Sequence, residues 1–532
     1  MASTDVYIYD TTLRDGTQGE KINFSAEEKL RIARRLDDMG FHYIEGGWPG
    51  SNPKDVRFFE MAKGMTFKTA RLTAFGSTRK PGARPETDRN MRALIQAETP
   101  AVAIFGKSWD LHVREIIGST LEENLEMIRD SVAYLKKKKK EVIFDAEHFF
   151  DGYFRNPAYA MKTIRAALEG GADRIVLCDT NGGAMPHDLT AAFTAAAAVI
   201  PPEKLGIHAH NDCGLAAANS IAAVRAGAVM VQGTVNGYGE RCGNADLITV
   251  ICNLQLKMGK KCLPEASIGQ FTNVSYFISE VANVRPLPFR PFVGASAFAH
   301  KGGVHVNAIA KNPQAYEHIR PEQVGNHQRV LASDLAGKST IAWKARELGV
   351  DLGEKDAVSR KIVREIKRLE NQGFQFDAAD GSLSLLMKKI TGAFKEPFTL
   401  ECFNVTNGKT GKHDPVCLAT MKISVGSEVE LTAAEGNGPV NALDHALRKA
   451  LAKFYPQIEE VHLVDFKVRI VEGSEGTAAR VKVLLDSRDG EEMWSTIGVS
   501  ENVIEASWQA LVDSIQYKLS KDNINKNEAA GR

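Results

Sequence analysis

Two histidines one residue apart, His208 and His210, lie in the run Leu205-Gly206-Ile207-His208-Ala209-His210-Asn211-Asp212. Side chains two apart on a β-strand point to the same face, so this run would deliver two imidazoles from one side of a strand end, half of a metal site. Near the start of the chain, Val6-Tyr7-Ile8-Tyr9 leads into Asp10-Thr11-Thr12-Leu13-Arg14-Asp15-Gly16, a second strand with a charged cluster at its C-terminal end. Asp15 with His208 and His210 makes a 2-His-1-carboxylate set, which leaves coordination positions open for substrate oxygens and water. Asn244 would add a carbonyl oxygen or stand just behind the ligands. Mixed nitrogen and oxygen ligation suits Zn, Mn, Fe or Co, and ligand type alone does not choose among them. The open positions suit a chelating 2-keto acid, whose ketone a metal would polarise as a Lewis acid. Arg14 would hold a carboxylate or a developing alkoxide by charge-assisted hydrogen bonds. Thr180 could donate to the carboxylate, and Glu147 is available for proton transfer.

These groups can meet only if the elements between them bring their strands together. From residue 5 to about 245, short apolar runs alternate with amphipathic stretches: Val6–Tyr9, Tyr43–Glu45, Ala70–Phe75, Ala101–Phe105, Glu141–Phe144, Arg174–Cys178, Leu205–His208 and Met230–Thr234. Eight β-α units in about 250 residues predict an α/β fold, a (β/α)8 TIM barrel, in which catalytic groups sit at the C-terminal strand ends. The polar residues fall there: Arg14 and Asp15, Glu45, Asp145 and Glu147, Asp179 and Thr180, the two histidines, and Asn236 to Asn244. Glu45 therefore joins Arg14 and Thr180 as a candidate substrate contact. Asp179 and Asp212 read as helix caps. Ser25 with Glu28 three residues on is a capping box opening a helix that Gly40 stops.

After about residue 255 the pattern changes. Prolines at 286, 288 and 291 break the chain, and helices such as Asp356–Leu369 follow, so 281–395 reads as linker subdomains after a barrel domain of 1–280. From 396 to 520 a β-β-β-α unit occurs roughly twice, an α+β module with internal repetition. Residues 521–532 read as a disordered polar tail. The 532 residues carry a net charge of +1, so no global field favours nucleic acid or a membrane surface. The run Lys136–Lys140 reads as a solvated helix end. Seven cysteines without metal-finger spacing fit a reducing cytoplasm, with Cys178, Cys213 and Cys242 as small core residues. No signal peptide or membrane-spanning stretch is read.

Leu13-Arg14-Asp15-Gly16-Thr17-Gln18, His208-Ala209-His210-Asn211-Asp212, Gly239-Glu240-Arg241-Cys242-Gly243-Asn244 and His300-Lys301-Gly302-Gly303-Val304-His305 resemble the signatures of the 2-isopropylmalate, homocitrate and citramalate synthase family, over residues from about 5 to 520. Gly46-Gly47-Trp48-Pro49-Gly50-Ser51-Asn52-Pro53-Lys54-Asp55 looks most like the citramalate branch. The resemblance implies an acyltransferase that condenses acetyl-CoA with a 2-keto acid and then hydrolyses the thioester. For that branch the keto acid is pyruvate and the product (R)-citramalate, on a route to isoleucine. It implies a divalent metal ion (Mn, Mg or Zn) held by Asp15, His208 and His210 with Asn244 nearby. It also implies catalytic roles for Arg14, Glu147, His305 and its partner Tyr316, and keto-acid contact by Thr180. A homodimer, feedback by isoleucine through the C-terminal module, and a cytoplasmic setting follow from the same likeness. Besides a 2-isopropylmalate or homocitrate synthase, a metal-dependent lyase on the same barrel and a non-catalytic amino-acid sensor are the competing readings. The C-terminal module argues against the lyase, and the intact Arg14, Asp15, His208 and His210 argue against the sensor.

Overall fold

A computed structural model describes residues 5–353, 356–409, 411, 416–471, 476 and 478–530. Eight parallel strands form its first element: β1 (Tyr7–Asp10), β2 (Tyr43–Gly47), β3 (Arg71–Ser77), β4 (Ala101–Lys107), β5 (Glu141–Glu147), β6 (Arg174–Asp179), β7 (Leu205–Ala209) and β8 (Met230–Gly233). They pair in chain order, and β8 returns to β1, Tyr7 facing Met230 and Asp10 facing Gly233, so the sheet closes into a barrel. Their near-continuous apolar character reflects burial on both faces. Ile8, Ile44, Val102, Val142, Ile175 and Ile207 face outward into the core beneath the surrounding helices. Alternate residues fill the interior, among them Tyr9, Tyr43, Phe75, Ala103, Ile143 and Val176. The same parity carries Glu45, Asp145, His208 and Gln232 into the barrel.

The helix Ala26–Asp38 has the reciprocal cap its sequence predicts: Ser25 Oγ accepts from the Glu28 amide at 3.1 Å, and Glu28 Oε2 accepts from the Ser25 amide at 2.7 Å. Gly40, at φ +84°, follows it. Lys136 and Lys137 lie in the last turn of Leu121–Lys137, where cations offset the helix dipole.

The chain divides into two compact units, one running to Phe298 and including Ile319–His327, the other comprising Ala299–His318 and the residues from Gln328 onward. The stretch expected as linker subdomains, 281–395, is shared between them. Its early part joins the barrel unit because Phe292, Val293, Phe298 and Val324 enter the barrel's outer core, and Asn326 Nδ2 donates to the carbonyls of Phe292 and Gly294. The second unit holds a short parallel pair, β9 (Ala299–His300) and β10 (Arg329–Val330), and helices Gly303–Ile309, Lys338–Glu347, Asp356–Glu370 and Asp380–Thr391. Then come two antiparallel sheets, β11 (Thr399–Gly408), β12 (Val416–Val425) and β13 (Glu428–Gly436), and β14 (His462–Ile470), β15 (Val481–Arg488) and β16 (Met493–Ser500), followed by helices Pro439–Leu451 and Val503–Ala530 respectively. The last helix runs past residue 520, the expected end of the module, so 521–530 continue it instead of forming a separate tail; the rest of that expected tail, Gly531 and Arg532, lies outside the described residues.

Candidate active site

At the C-terminal end of the barrel, three buried side chains converge. His208 Nε2 lies 3.3 Å and His210 Nε2 3.9 Å from Asp15 Oδ2, and the two imidazole nitrogens are 3.3 Å apart. Among the described residues this is the one group of three or more His, Cys, Asp or Glu side chains with the spacing of a metal site. The donor set fits a divalent cation. Two nitrogens each about 2.1 Å from one tetrahedral ion stand about 3.4 Å apart, which matches the observed separation. Burial would raise the Asp15 carboxyl, but Arg14 and the two histidines outweigh it and hold it well below the usual carboxylate range. Burial also opposes protonation of His208, but its hydrogen bond to Asp15 and that carboxylate's charge raise it. Burial and the neighbouring His208 bring His210 down to about 4.

Local structure explains the convergence. Asp15 follows β1 in a turn closed by Gly16 N–H on the Thr11 carbonyl. His210 and Asn244 form an isolated bridge beyond β7, so the segment after β8 folds back over the histidines. That segment needs glycines: Gly243 has φ +88°, and a Cβ on Gly239 would strike Asn244 Oδ1. Asn244, expected as a further ligand, presents its Nδ2 to the cluster and donates to Asp15 Oδ2 at 2.9 Å, the strongest acceptor in reach. Its Oδ1 is buried without a hydrogen bond among the described residues.

Arg14 is fixed beside this cluster. Its Nε donates to Glu45 Oε1 at 2.5 Å, its Nη1 lies 3.5 Å from Asp15 Oδ1, and its guanidinium stacks over Phe75 at 3.7 Å. Glu45 is fully buried, with Thr11 Oγ1 also on Oε1 at 2.6 Å and the Tyr9 hydroxyl on Oε2. Expected as a substrate contact, Glu45 has both oxygens committed to the barrel and orients Arg14 instead. Tyr9 and Thr11, which complete this arrangement, went unread in the sequence; the signal was a tyrosine and a threonine bracketing the end of an apolar strand.

Glu147 forms an ion pair with Lys107 of the adjacent β4. Thr180 Oγ1 accepts from the His148 amide at 2.9 Å, with its carbonyl on Arg241 at 2.8 Å. Phe75, Phe105 and Trp48 stand with ring centroids 5.6 Å apart, an aromatic wall beside Arg14. Asp179 accepts from the amides of Gly183 and Ala184, capping a turn ahead of the next helix. Asp212 is not a cap: it pairs with Arg241 at 2.7 Å, and Asn211 Oδ1 accepts from the Ala216 amide in its stead. Cys178 is buried in the barrel interior, whereas Cys213 and Cys242, expected in the core, sit exposed on the segments after β7 and β8. In the second unit, His305 and Tyr316 are together, their rings 4.2 Å apart.

Comparison with known proteins adds the following. Residues 5–278 match the HMGL-like family model, 292–373 the homocitrate synthase post-HMGL domain-like model, and 377–519 the LeuA allosteric (dimerisation) domain. The chain is 54% identical to an (R)-citramalate synthase of Aquifex aeolicus, over 97% of this chain and 98% of that protein. It is 53% identical to an (R)-citramalate synthase of Geobacter sulfurreducens, with the same shares covered. Against a probable 2-isopropylmalate synthase of Methanopyrus kandleri identity is 32%, over 96% of this chain and 97% of that protein.

Proposed function

The chain belongs to the HMGL-like family and, within it, to the (R)-citramalate synthases; from that premise we propose that its barrel condenses acetyl-CoA with pyruvate and water, giving (R)-citramalate and CoA. The reading rests on near-full-length identity to citramalate synthases together with the convergence of Asp15, His208 and His210 beside Arg14. The relatives between 44% and 54% identical are (R)-citramalate synthases, which favours pyruvate over a larger keto acid. Buried Asp15, His208 and His210 side chains with Arg14 beside them favour an enzyme over a sensor.

Asp15, His208 and His210 would hold a divalent ion, with Asn244 joining through Oδ1 after a half-turn of its amide. A bound ion would supply Lewis-acid polarisation of the keto group, with the keto acid as its chelating ligand. Arg14, always protonated and held by Glu45, offers its remaining N–H groups to the charge that develops on the reacting carbonyl oxygen. Thr180 orients the substrate carboxylate. A thioester methyl is a weak carbon acid, so deprotonation needs a positioned base. Glu147 moves a proton on the keto-acid side, with Lys107 setting its position. His305, paired with Tyr316, acts on acetyl-CoA. The aromatic wall of Trp48, Phe75 and Phe105 limits the side chain that fits beside the keto group. The module at 377–519 dimerises two chains and takes isoleucine, the end product whose synthesis this reaction would feed. Dimerisation is supported by the outer face of its first sheet, where Leu418, Val429 and Leu431 are exposed. All seven cysteines are free, which supports a cytoplasmic setting, and no helix of the described residues is long and apolar enough to cross a membrane.

The test is CoA release from acetyl-CoA with pyruvate, 2-oxoisovalerate and 2-oxoglutarate in parallel. Pyruvate should give the highest kcat/KM by at least tenfold, the low end of the roughly 1–3 kcal/mol that one methylene is worth in an apolar pocket. Equal rates, or preference for 2-oxoisovalerate, would overturn the assignment.

A further inference from the structure

A buried hydrogen-bonded chain runs from the wall of the barrel to one imidazole of the metal cluster. Gln232 on β8 is the direct register neighbour of His208 on β7, and both point inward. Gln232 Oε1 lies 2.8 Å from His208 Nδ1, and Gln232 Nε2 donates to Asp145 Oδ1 at 2.9 Å. Asp145 stands on β5, so the last link crosses the barrel interior to a strand that does not neighbour β8. Gln232 is fully buried, and Asp145 and His208 are 4% and 6% exposed, so water does not compete for these atoms.

With Asp145 ionised, the order of donors and acceptors along this chain is fixed. A carboxylate oxygen accepts, so it draws the Gln232 amide round with Nε2 toward Asp145. Oε1 is then left facing His208, and an amide oxygen can only accept. In neutral His208, the form that binds a cation, the proton must therefore sit on Nδ1, which leaves the Nε2 lone pair aimed at Asp15 and His210. Fixing tautomer and ring angle in this way is what a partner behind a metal-bound histidine does. His210 has no such partner: its Nδ1 is buried without a hydrogen bond among the described residues. The two imidazoles are thus unequal, one held through Nδ1 by a hydrogen bond and one not.

We propose that Gln232 and Asp145 are positioning residues that lock His208 into the tautomer and orientation in which its Nε2 can bind the cation. This inference rests on the metal site proposed above. Neither residue needs to touch substrate, and replacing a partner of this kind typically costs about 10–100-fold in metal affinity.

The test measures Mn2+ affinity of the full-length, metal-stripped protein from the free-ion electron paramagnetic resonance signal, beside turnover. Gln232→Met keeps the volume and removes both hydrogen bonds; it should weaken Mn2+ binding about 10–100-fold. The double variant Asp145→Asn with Gln232→Glu reverses the chemistry of the middle link while keeping its polarity. A carboxylate at 232 still accepts from His208 Nδ1–H, and the amide at 145 now donates to it, so Mn2+ affinity should return to within about threefold of the parent, on the same donor–acceptor rule. Wild-type affinity in Gln232→Met would overturn the proposal, as would a double variant no tighter than Gln232→Met. His208→Ala separates the two readings. If it leaves Mn2+ affinity unchanged, the metal site itself is wrong; if it loses the ion while Gln232→Met keeps it, only the positioning role fails.

Discussion

Single residues at the mouth of the barrel are held by several neighbours at once, and that determines which substitutions are conservative. Arg14 meets Glu45, Asp15 and the face of Phe75 simultaneously. A lysine keeps the charge but has neither the planar fork nor the stacking surface. Arg14→Lys should therefore lower kcat by about 10²–10³, the usual cost of one donor to a developing oxyanion, with Mn2+ affinity within a few-fold of the parent. Steady-state kinetics beside the resonance titration checks this; equal loss of metal affinity would assign Arg14 to the metal site instead. Asp10 poses a different problem. It is fully buried, bonded to the Thr12 amide and hydroxyl, and burial pushes its carboxyl up to about 7. A carboxyl with a raised folded-state pKa contributes stability that is complete below the unfolded value near 4 and lost as pH rises through about 7. Urea midpoints of the parent should fall between pH 5 and pH 8, and Asp10→Asn, which cannot ionise, should flatten that fall. An unchanged profile would mean that Asp10 does not titrate in this window.

At the scale of elements, the strands were legible because a parallel barrel buries both strand faces and confines polar side chains to one end. The runs ending in Asp10, Glu45, Asp145, Asp179 and His208 marked both the strands and the catalytic face. Each predicted strand overlaps an observed one, and Asp15, His208 and His210 come together as the order of β1 and β7 around the closed sheet requires. What stayed hidden depends on contacts between strands. That Tyr9 and Thr11 take up Glu45, or that Gln232 links His208 to Asp145, follows from register and barrel diameter, and neither is encoded in local spacing. The turn after β8 shows the same limit. Its glycines could be read as a loop, but only the fold reveals that Gly243 both adopts φ +88° and packs against the Gly237 carbonyl. Gly243→Ala should thus cost the left-handed penalty of about 1–2 kcal/mol and also displace Asn244, with a more than tenfold loss of turnover. Gly214, at φ +72° with open space around it, is the control. Gly214→Ala should show a similar shift in urea unfolding without the kinetic loss. Equal kinetics in the two variants would remove the close approach from the explanation.

On the scale of the whole molecule, the doubled β-β-β-α module is where a signal from outside the reaction would enter. Its two halves enclose a cavity of about 250 Å³ lined by Val440, Asn441, Asp444, Leu463, Phe466 and Leu511. The walls are mostly apolar, with Asn441, Asp444 and Arg448 of the helix Pro439–Leu451 on one side, Asp444 held by Arg448 at 2.9 Å, and Ser487 and Ser514 on the other. Such a lining suits an aliphatic side chain whose ammonium and carboxylate must find partners at one end, the chemistry of the isoleucine proposed as effector. The helix begins after Gly438 with Pro439 in its first turn, so its free amides there are available to a carboxylate. Leu463 is half exposed at the rim, and added bulk at this position can occlude the cavity without entering the core. Leu463→Trp should raise the isoleucine concentration for half-inhibition at least tenfold, equivalent to about 1.4 kcal/mol of lost binding, and leave turnover without isoleucine within twofold of the parent. Inhibition curves with isoleucine, leucine and valine on both proteins check it. Unaltered inhibition in Leu463→Trp would move the effector out of this cavity, and a fall in basal turnover of the same size would mean that the substitution disturbs the module as a whole.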